Sequence, residues 1–264
     1  MNVVKREIKM NFKSLMFWAL GAWTFLFMAG LEFSAYYGNN TIEELLSAMP
    51  PAILDSFEMG QLDLSTVTGY VGMMFSFLAV IVGFHAATVG AGLLSNEFTN
   101  KTSDFVLSLP ISRKSWLANK IVGGVVICFL MLVLANVPLL QIVYSYDLEE
   151  GFFKFFMLNN IGAFIVQLVF FAIGVLASAM FKNPKKSGGF VLSLLGVMYF
   201  MQLVQPLHKN LEFLKYLTPF KFFVAEEIIV DGSLSVASII ISLVVVAVSI
   251  AGSFVYFDKR DITY

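Results

Sequence analysis

Six uninterrupted apolar runs constrain this 264-residue chain more than anything else in it. They cover approximately residues 14–37, 67–94, 116–144, 159–181, 188–207 and 235–257, and each reaches the roughly 20 residues a helix needs to cross a bilayer. Lipid supplies no hydrogen-bond partners, so backbone at that depth must be helical or part of a closed barrel. The runs are continuous and lack the alternation of barrel strands. The expectation is an all-α integral membrane protein with six transmembrane helices. Composition agrees: 13% of residues are charged and 58% hydrophobic, with a mean hydropathy of +0.82, whereas a soluble domain carries about 25% charged residues.

Basic residues set the orientation. Of 17 Lys and Arg, 13 fall in the N-terminal segment (Lys5, Arg6, Lys9, Lys13), the loop between runs two and three with its flanks (Lys101, Arg113, Lys114, Lys120), the next loop on that side (Lys182, Lys185, Lys186) and the tail (Lys259, Arg260). By the positive-inside rule these parts and both termini are cytoplasmic. The opposite side has only Lys154, Lys209, Lys215 and Lys221, and residues 38–66 carry five acids and no base. Tyr36, Tyr37, Tyr144 and Tyr146 sit at outer ends and Trp116 and Tyr256 at inner ends, as interfacial aromatics do.

The connecting segments have structure of their own. Residues 1–13 read as an amphipathic helix in the inner interface, with Val4, Ile8 and Phe12 on one side and Lys5, Lys9 and Lys13 on another. The apolar run behind it is too long for a signal-peptide core and has no small-x-small cleavage site. On the outer side, Thr41-Ile42-Glu43-Glu44 is a capping box and Pro51 opens a second short helix. The Pro-broken stretch 211–232 fits a re-entrant hairpin or an interfacial helix. Short outer helices therefore precede helix 2 and helix 6. No internal repeat or low-complexity linker divides the chain, so residues 1–264 are expected to form one membrane domain.

Candidates for chemistry are few. The single Cys128 cannot form an internal disulfide, and no zinc-ligand spacing occurs. No GxxxxGK[ST] phosphate loop exists, and a net charge of −1 favours no nucleic-acid partner. Glu226-Glu227 invites comparison with membrane proteases of Glu-Glu-x-x-x-Arg pattern, but the fifth position after Glu226 is Asp231. The pair reads better as a solvated acidic helix face. No catalytic or metal-binding residue is expected, and the chain is not read as an enzyme. His85 in the second run and Glu32 in the outer part of the first are candidates for a substrate path, because a charged residue at membrane depth costs roughly 2.5–3.5 kcal/mol on insertion scales. Against this, His85 can sit neutral and hydrogen-bonded between helices, and Glu32 can reach the headgroups. Asn136, Gln141, Gln167 and Gln202 read as helix-packing residues. Gly90, Ala91 and Gly92 permit close helix approach, and Pro138 kinks the third helix.

The polar stretch 95–120 remains. Thr102 can cap a short helix, Asp104 falls in its first turn and Pro110 ends it. Phe98, Phe105 and Leu109 recur at roughly helical spacing. A capped, half-apolar helix held out into the cytoplasm either docks against a partner or lies on lipid headgroups. Glu97, Lys101-Thr102, Leu107-Ser108-Leu109-Pro110-Ile111-Ser112-Arg113 and Lys120 resemble the first cytoplasmic loop of ABC-2 type transporter permeases, departing at Lys101 where the family pattern has Gly. With the six-helix topology, the resemblance extends over the whole chain.

The resemblance implies a permease subunit of an ATP-driven bacterial exporter in the cytoplasmic membrane. Its partners are separate ABC ATPase subunits, which bind ATP and Mg, and a second permease copy or paralogue. This chain itself needs no cofactor. Glu97, Thr102, Asp104, Phe105, Leu109, Pro110 and Arg113 form the implied coupling segment, with Phe105 and Leu109 seated in a cleft of the ATPase. The implied substrate is amphipathic or hydrophobic, a peptide or antibiotic. An immunity or sensory protein on the same scaffold is an alternative. So is a secondary transporter, though that class uses intramembrane charges and repeat symmetry of which the chain has little.

Overall fold

The computed structural model describes residues 3–39, 48–60, 62–99, 112–181 and 183–259. Their regular structure is all helix, with no strand among them, and six helices are long and apolar enough to cross a membrane. In chain order the helices are α1 (Val3–Tyr36), α2 (Pro51–Ser56), α3 (Val67–Gly92), α4 (Ser95–Thr99), α5 (Arg113–Asn136), α6 (Leu140–Ser145), α7 (Phe152–Met180), α8 (Pro184–Val204), α9 (Ala225–Asp231) and α10 (Val236–Asp258). The spans are α1, α3, α5 continued by α6, α7, α8 and α10. Six crossings put the two ends of the chain on one face, called the base below; the opposite face is the crown.

The amphipathic segment at the N-terminus and the first span form one unbroken helix. The 34 residues of α1 rise about 51 Å at 1.5 Å each, against a hydrocarbon core of about 30 Å. The first three turns, with Lys5, Lys9 and Lys13, therefore extend beyond the apolar core. Short helices stand on the crown before α3 and before α10, as α2 and α9. The capping box at residues 41–44 lies outside the described residues.

The centre is the crossing of α3 and α7, the two most buried spans. A Cβ on Gly90 would lie 2.3 Å from the Phe171 carbonyl oxygen, and one on Gly174 would lie 2.7 Å from the Ala91 nitrogen. Only glycines allow this approach, so backbone packs on backbone. Around the pair, α1 packs on α5, and α10 lies along α7. Cys128 is fully buried in the main apolar cluster. Asn136 donates to Asn160 Oδ1 at 2.8 Å, linking α5 to α7.

Pro138 breaks the third span as its sequence position predicts: α5 stops at Asn136, a 3-10 turn spans Val137–Leu139, and α6 resumes. Proline has no N–H to give the carbonyl four residues earlier, which belongs to Leu134. Trp23 of α1 donates its indole N–H to that oxygen at 2.6 Å. On the crown, Glu149 accepts from the Val67 and Thr68 amides at 2.8 and 3.0 Å. Its carboxylate sits on the N-terminus of α3, where the helix dipole favours an anion.

Candidate functional site at the base of the bundle

Four charged side chains from three helices meet at the base. Lys120 of α5 places its ammonium 2.8 Å from Glu7 of α1 and 3.0 Å from Glu97 of α4. The second oxygen of Glu97 receives Arg6 at 3.0 Å. The second oxygen of Glu7 accepts from Asn11 Nδ2, also at 3.0 Å. Lys120 lies over the Trp116 ring, 5.1 Å from its centroid, a favourable cation–π position. Two acids and two bases give formal neutrality. Glu7, Glu97 and Lys120 are almost wholly buried, and Arg6 is the only member that water reaches.

Local sequence builds this arrangement. Gly123 lies one turn beyond Lys120; a Cβ there would meet Glu7 Cβ at 2.9 Å. Its absence lets α1 press onto α5 and lays the Glu7 stem beside the ammonium. Gly124 faces the other way, and a Cβ there would strike the Phe171 ring at 2.3 Å. The adjacent glycines thus seat two neighbours on one turn of α5. Ser95 turns its hydroxyl back to the Ala91 carbonyl at 2.6 Å, and α4 then carries Glu97 inward. Ser112 caps α5, its hydroxyl accepting from the Ser115 amide at 3.2 Å. Ser187, in the first turn of α8, donates to the same Ala91 carbonyl at 3.0 Å. Trp116 stacks on Phe257 near the end of α10, with centroids 5.6 Å apart. Parts of all six spans therefore converge here.

Thr102, Asp104, Phe105, Leu109 and Pro110, expected in the coupling segment, lie outside the described residues. Glu97 and Arg113 flank that segment. Glu97 is locked into the buried network, whereas Arg113 is exposed in the first turn of α5 and has no ion-pair partner among the described residues. His85 is fully buried, its ring 6.2 Å from that of Trp18 in an edge-to-face arrangement, and neither nitrogen has a hydrogen-bond partner among the described residues. Glu32 is exposed on the outer part of α1, well removed along the helix from the base.

Arg6, Glu7 and Lys120 escaped assignment to a site from sequence. Lys120 stands in the quoted loop pattern, and Glu7 is the one acid among the bases of residues 5–13. The periodicity of a single helix gives no sign that a second helix covers one of its charged positions.

A family model described as ABC-2 family transporter protein matches residues 1–262. Among curated proteins, none matches the chain.

Proposed function

Because the chain belongs to the ABC-2 transporter family, we propose that it is the permease subunit of an ATP-driven exporter in a bacterial cytoplasmic membrane, with its base facing the cytoplasm. Members of this family are membrane components of transporters that generally work with ATPase subunits. The observation that carries the reading is the buried quartet Arg6, Glu7, Glu97 and Lys120. It joins the helices on both sides of segment 100–111 to each other and to α1. A push on that segment, transmitted through Glu97 and Lys120, moves α1, α3 and α5 together.

In this reading Thr102, Asp104 and Pro110 shape a short helix whose Phe105 and Leu109 seat in a cleft of the ATPase. Glu97 and Arg113 fix its two roots. ATP and Mg are bound by the ATPase, and this chain performs no covalent chemistry. A second permease copy or a paralogue completes the path; α8 and α10 bury few of their own residues and leave apolar faces for it and for lipid. The substrate is amphipathic or hydrophobic, a peptide or antibiotic of that character, in keeping with the scarcity of charge along the spans.

The test is co-purification of the ATPase with variants at matched membrane expression. Truncating a buried aromatic anchor costs about 2 kcal/mol, roughly thirtyfold in affinity. Phe105→Ala and Leu109→Ala should therefore lose most of the ATPase and the transport activity. Lys154→Ala, exposed on the crown side, should lose neither. Wild-type recovery and transport in both loop variants would refute the assignment.

A further inference from the structure

Glu58 stands out at the other end of the bundle. It follows α2 and has a φ of +58°, the one non-glycine residue with positive φ among those described, a conformation that a side chain with a Cβ rarely adopts. Its carboxylate nevertheless points into the protein and is only 3% exposed. There it gathers partners from three further segments. Ser76 of α3 donates its hydroxyl to Oε2. Gln202 of α8 donates Nε2–H to Oε1 at 2.9 Å. Lys221, in the 3-10 turn Pro219–Phe222, lies 3.5 Å from Oε1.

Beside this hub is a cavity of about 20 Å3, lined by Glu58, Ser76, Asn159, Gln202 and the apolar side chains of Ala79 and Ala163, among others. That is room for one water molecule. Gln202 lines it, and its Oε1 is buried and without a hydrogen-bond partner among the described residues. Turning the amide over would set that oxygen against the Glu58 carboxylate, so the hydrogen bond to Glu58 fixes the orientation and leaves Oε1 needing a donor. Asn159 spends one Nδ2 proton on the Phe155 carbonyl at 3.0 Å and makes no hydrogen bond to Gln202 Oε1. Lys221 is engaged with Glu58. A water is the donor that fits both the volume and the acceptor.

We propose that Glu58 is the hub of a latch on the crown, closed around one internal water, that holds α8 and the stretch before α9 against α3. When the path opens to the crown side, these partners separate and the chamber becomes continuous with bulk water. The chemistry suits a catch that must release. α8 buries few residues of its own, so its hold on α3 near the crown depends strongly on the Gln202–Glu58 contact. Two links are hydrogen bonds to a charge and the third is an ion pair at 3.5 Å, polar contacts that water can replace when the chamber floods. A tight apolar seam offers no such exchange. The place of the latch in a transport cycle rests on the exporter reading; its closure by Glu58 does not.

The experiment uses Ala163→Cys in a Cys128→Ala background, with Ile53→Cys as an exposed control, and a membrane-impermeant thiol reagent added from the crown side. Ala163 lines the chamber and is 4% exposed, so its cysteine should be silent in the resting protein. Glu58→Gln, or Glu58→Asp, which retains the charge for Lys221 but is too short to keep all three contacts, should speed its modification by about tenfold or more, the factor one hydrogen bond to a charged group is worth. With Glu58 intact and the ATPase bound, MgATP turnover should also speed it. Equal rates with and without Glu58 overturn the latch. A complex that hydrolyses ATP yet leaves the cysteine silent overturns its place in the cycle. Failure to recover any ATPase counts against the exporter reading instead, and the Glu58→Gln comparison, which needs no ATP, still decides whether Glu58 closes the chamber.

Discussion

Lys120→Met tests the base network most directly. Methionine keeps the length and most of the volume of the lysine stem, so the change removes a charge rather than opening a cavity. Lys120 holds two carboxylates at 2.8 and 3.0 Å and is 1% exposed. Removing one partner of a buried ion pair costs roughly 3–5 kcal/mol, because the other charge remains without compensation. The two acids do not lose equally. Glu97 keeps Arg6 at 3.0 Å, whereas Glu7 keeps only the Asn11 amide. The cost therefore falls chiefly on Glu7.

The second substitution follows from that asymmetry. Glu7→Gln on the Lys120→Met background should recover much of the loss, since a neutral amide beside methionine carries no stranded charge. Glu97→Gln on the same background should recover little, because it strands Arg6 instead. Thermal unfolding of the purified protein in mild detergent reads both effects. A loss of 3–5 kcal/mol corresponds to a fall in midpoint on the order of 10 °C for a chain of this size. Salt should change the difference little, since buried pairs are poorly screened. A Lys120→Met midpoint within about 2 °C of wild type would refute the energetic reading. So would equal rescue by Glu7→Gln and Glu97→Gln.

Three further outcomes are expected. Gly90→Ala should abolish stable folding or lower the midpoint sharply, because its Cβ would meet backbone at 2.3 Å and backbone cannot swing aside; detergent stability at matched expression checks it. Trp23→Phe should cost about 1 kcal/mol by removing one of two donors to the Leu134 carbonyl, which keeps the Val137 amide, and less on a Pro138→Ala background, where the restored N–H can replace the indole; a double-mutant cycle in thermal stability measures the difference. Burial, and then the Asp55 carboxylate, push the Glu226 carboxyl above the usual range, against the lowering effect of Lys221. The fold therefore disfavours the carboxylate, and its cost is present above the raised pKa and absent below the ordinary one. Glu226→Gln should unfold at a higher temperature than wild type at pH 8, with the gap closing as pH falls to 4.

What was legible in the sequence was whatever depends on one helix at a time. Length and apolar content mark each span, because the bilayer imposes the same demand on all of them. Pro138 announces its break through its missing N–H. The Gly90 neighbourhood announces a close crossing, though not that Gly174 answers it from α7. The charged hubs were not legible because they are properties of pairs. Glu7 and Lys120 are separated by more than a hundred positions, and nothing in either neighbourhood encodes the other. Glu58 reads as one more acid in a segment without bases; only its neighbours Gln202 and Lys221, from distant parts of the chain, turn it inward. Gln202 did read as a packing residue, and it packs, but onto a carboxylate.

That division follows from how helices associate in lipid. Acyl chains are as apolar as leucine, so burying leucine between two spans yields little net gain. The apolar runs determine that helices cross, and they leave open which faces meet. Faces are selected by terms that lipid cannot supply: backbone contact at glycine, and hydrogen bonds or ion pairs for groups that hydrocarbon would strand. In this protein those terms are spread along the bundle by height. The base has Lys120 with its two acids, the middle has the Gly90–Gly174 crossing, and the crown side has Trp23 on Leu134, Asn136 on Asn160 and the Glu58 hub. The middle contact is backbone on backbone and cannot be exchanged for water. The contacts at either end are polar and can be. A bundle built this way is stiffest at its waist, and its ends are the parts whose contacts can be broken and remade.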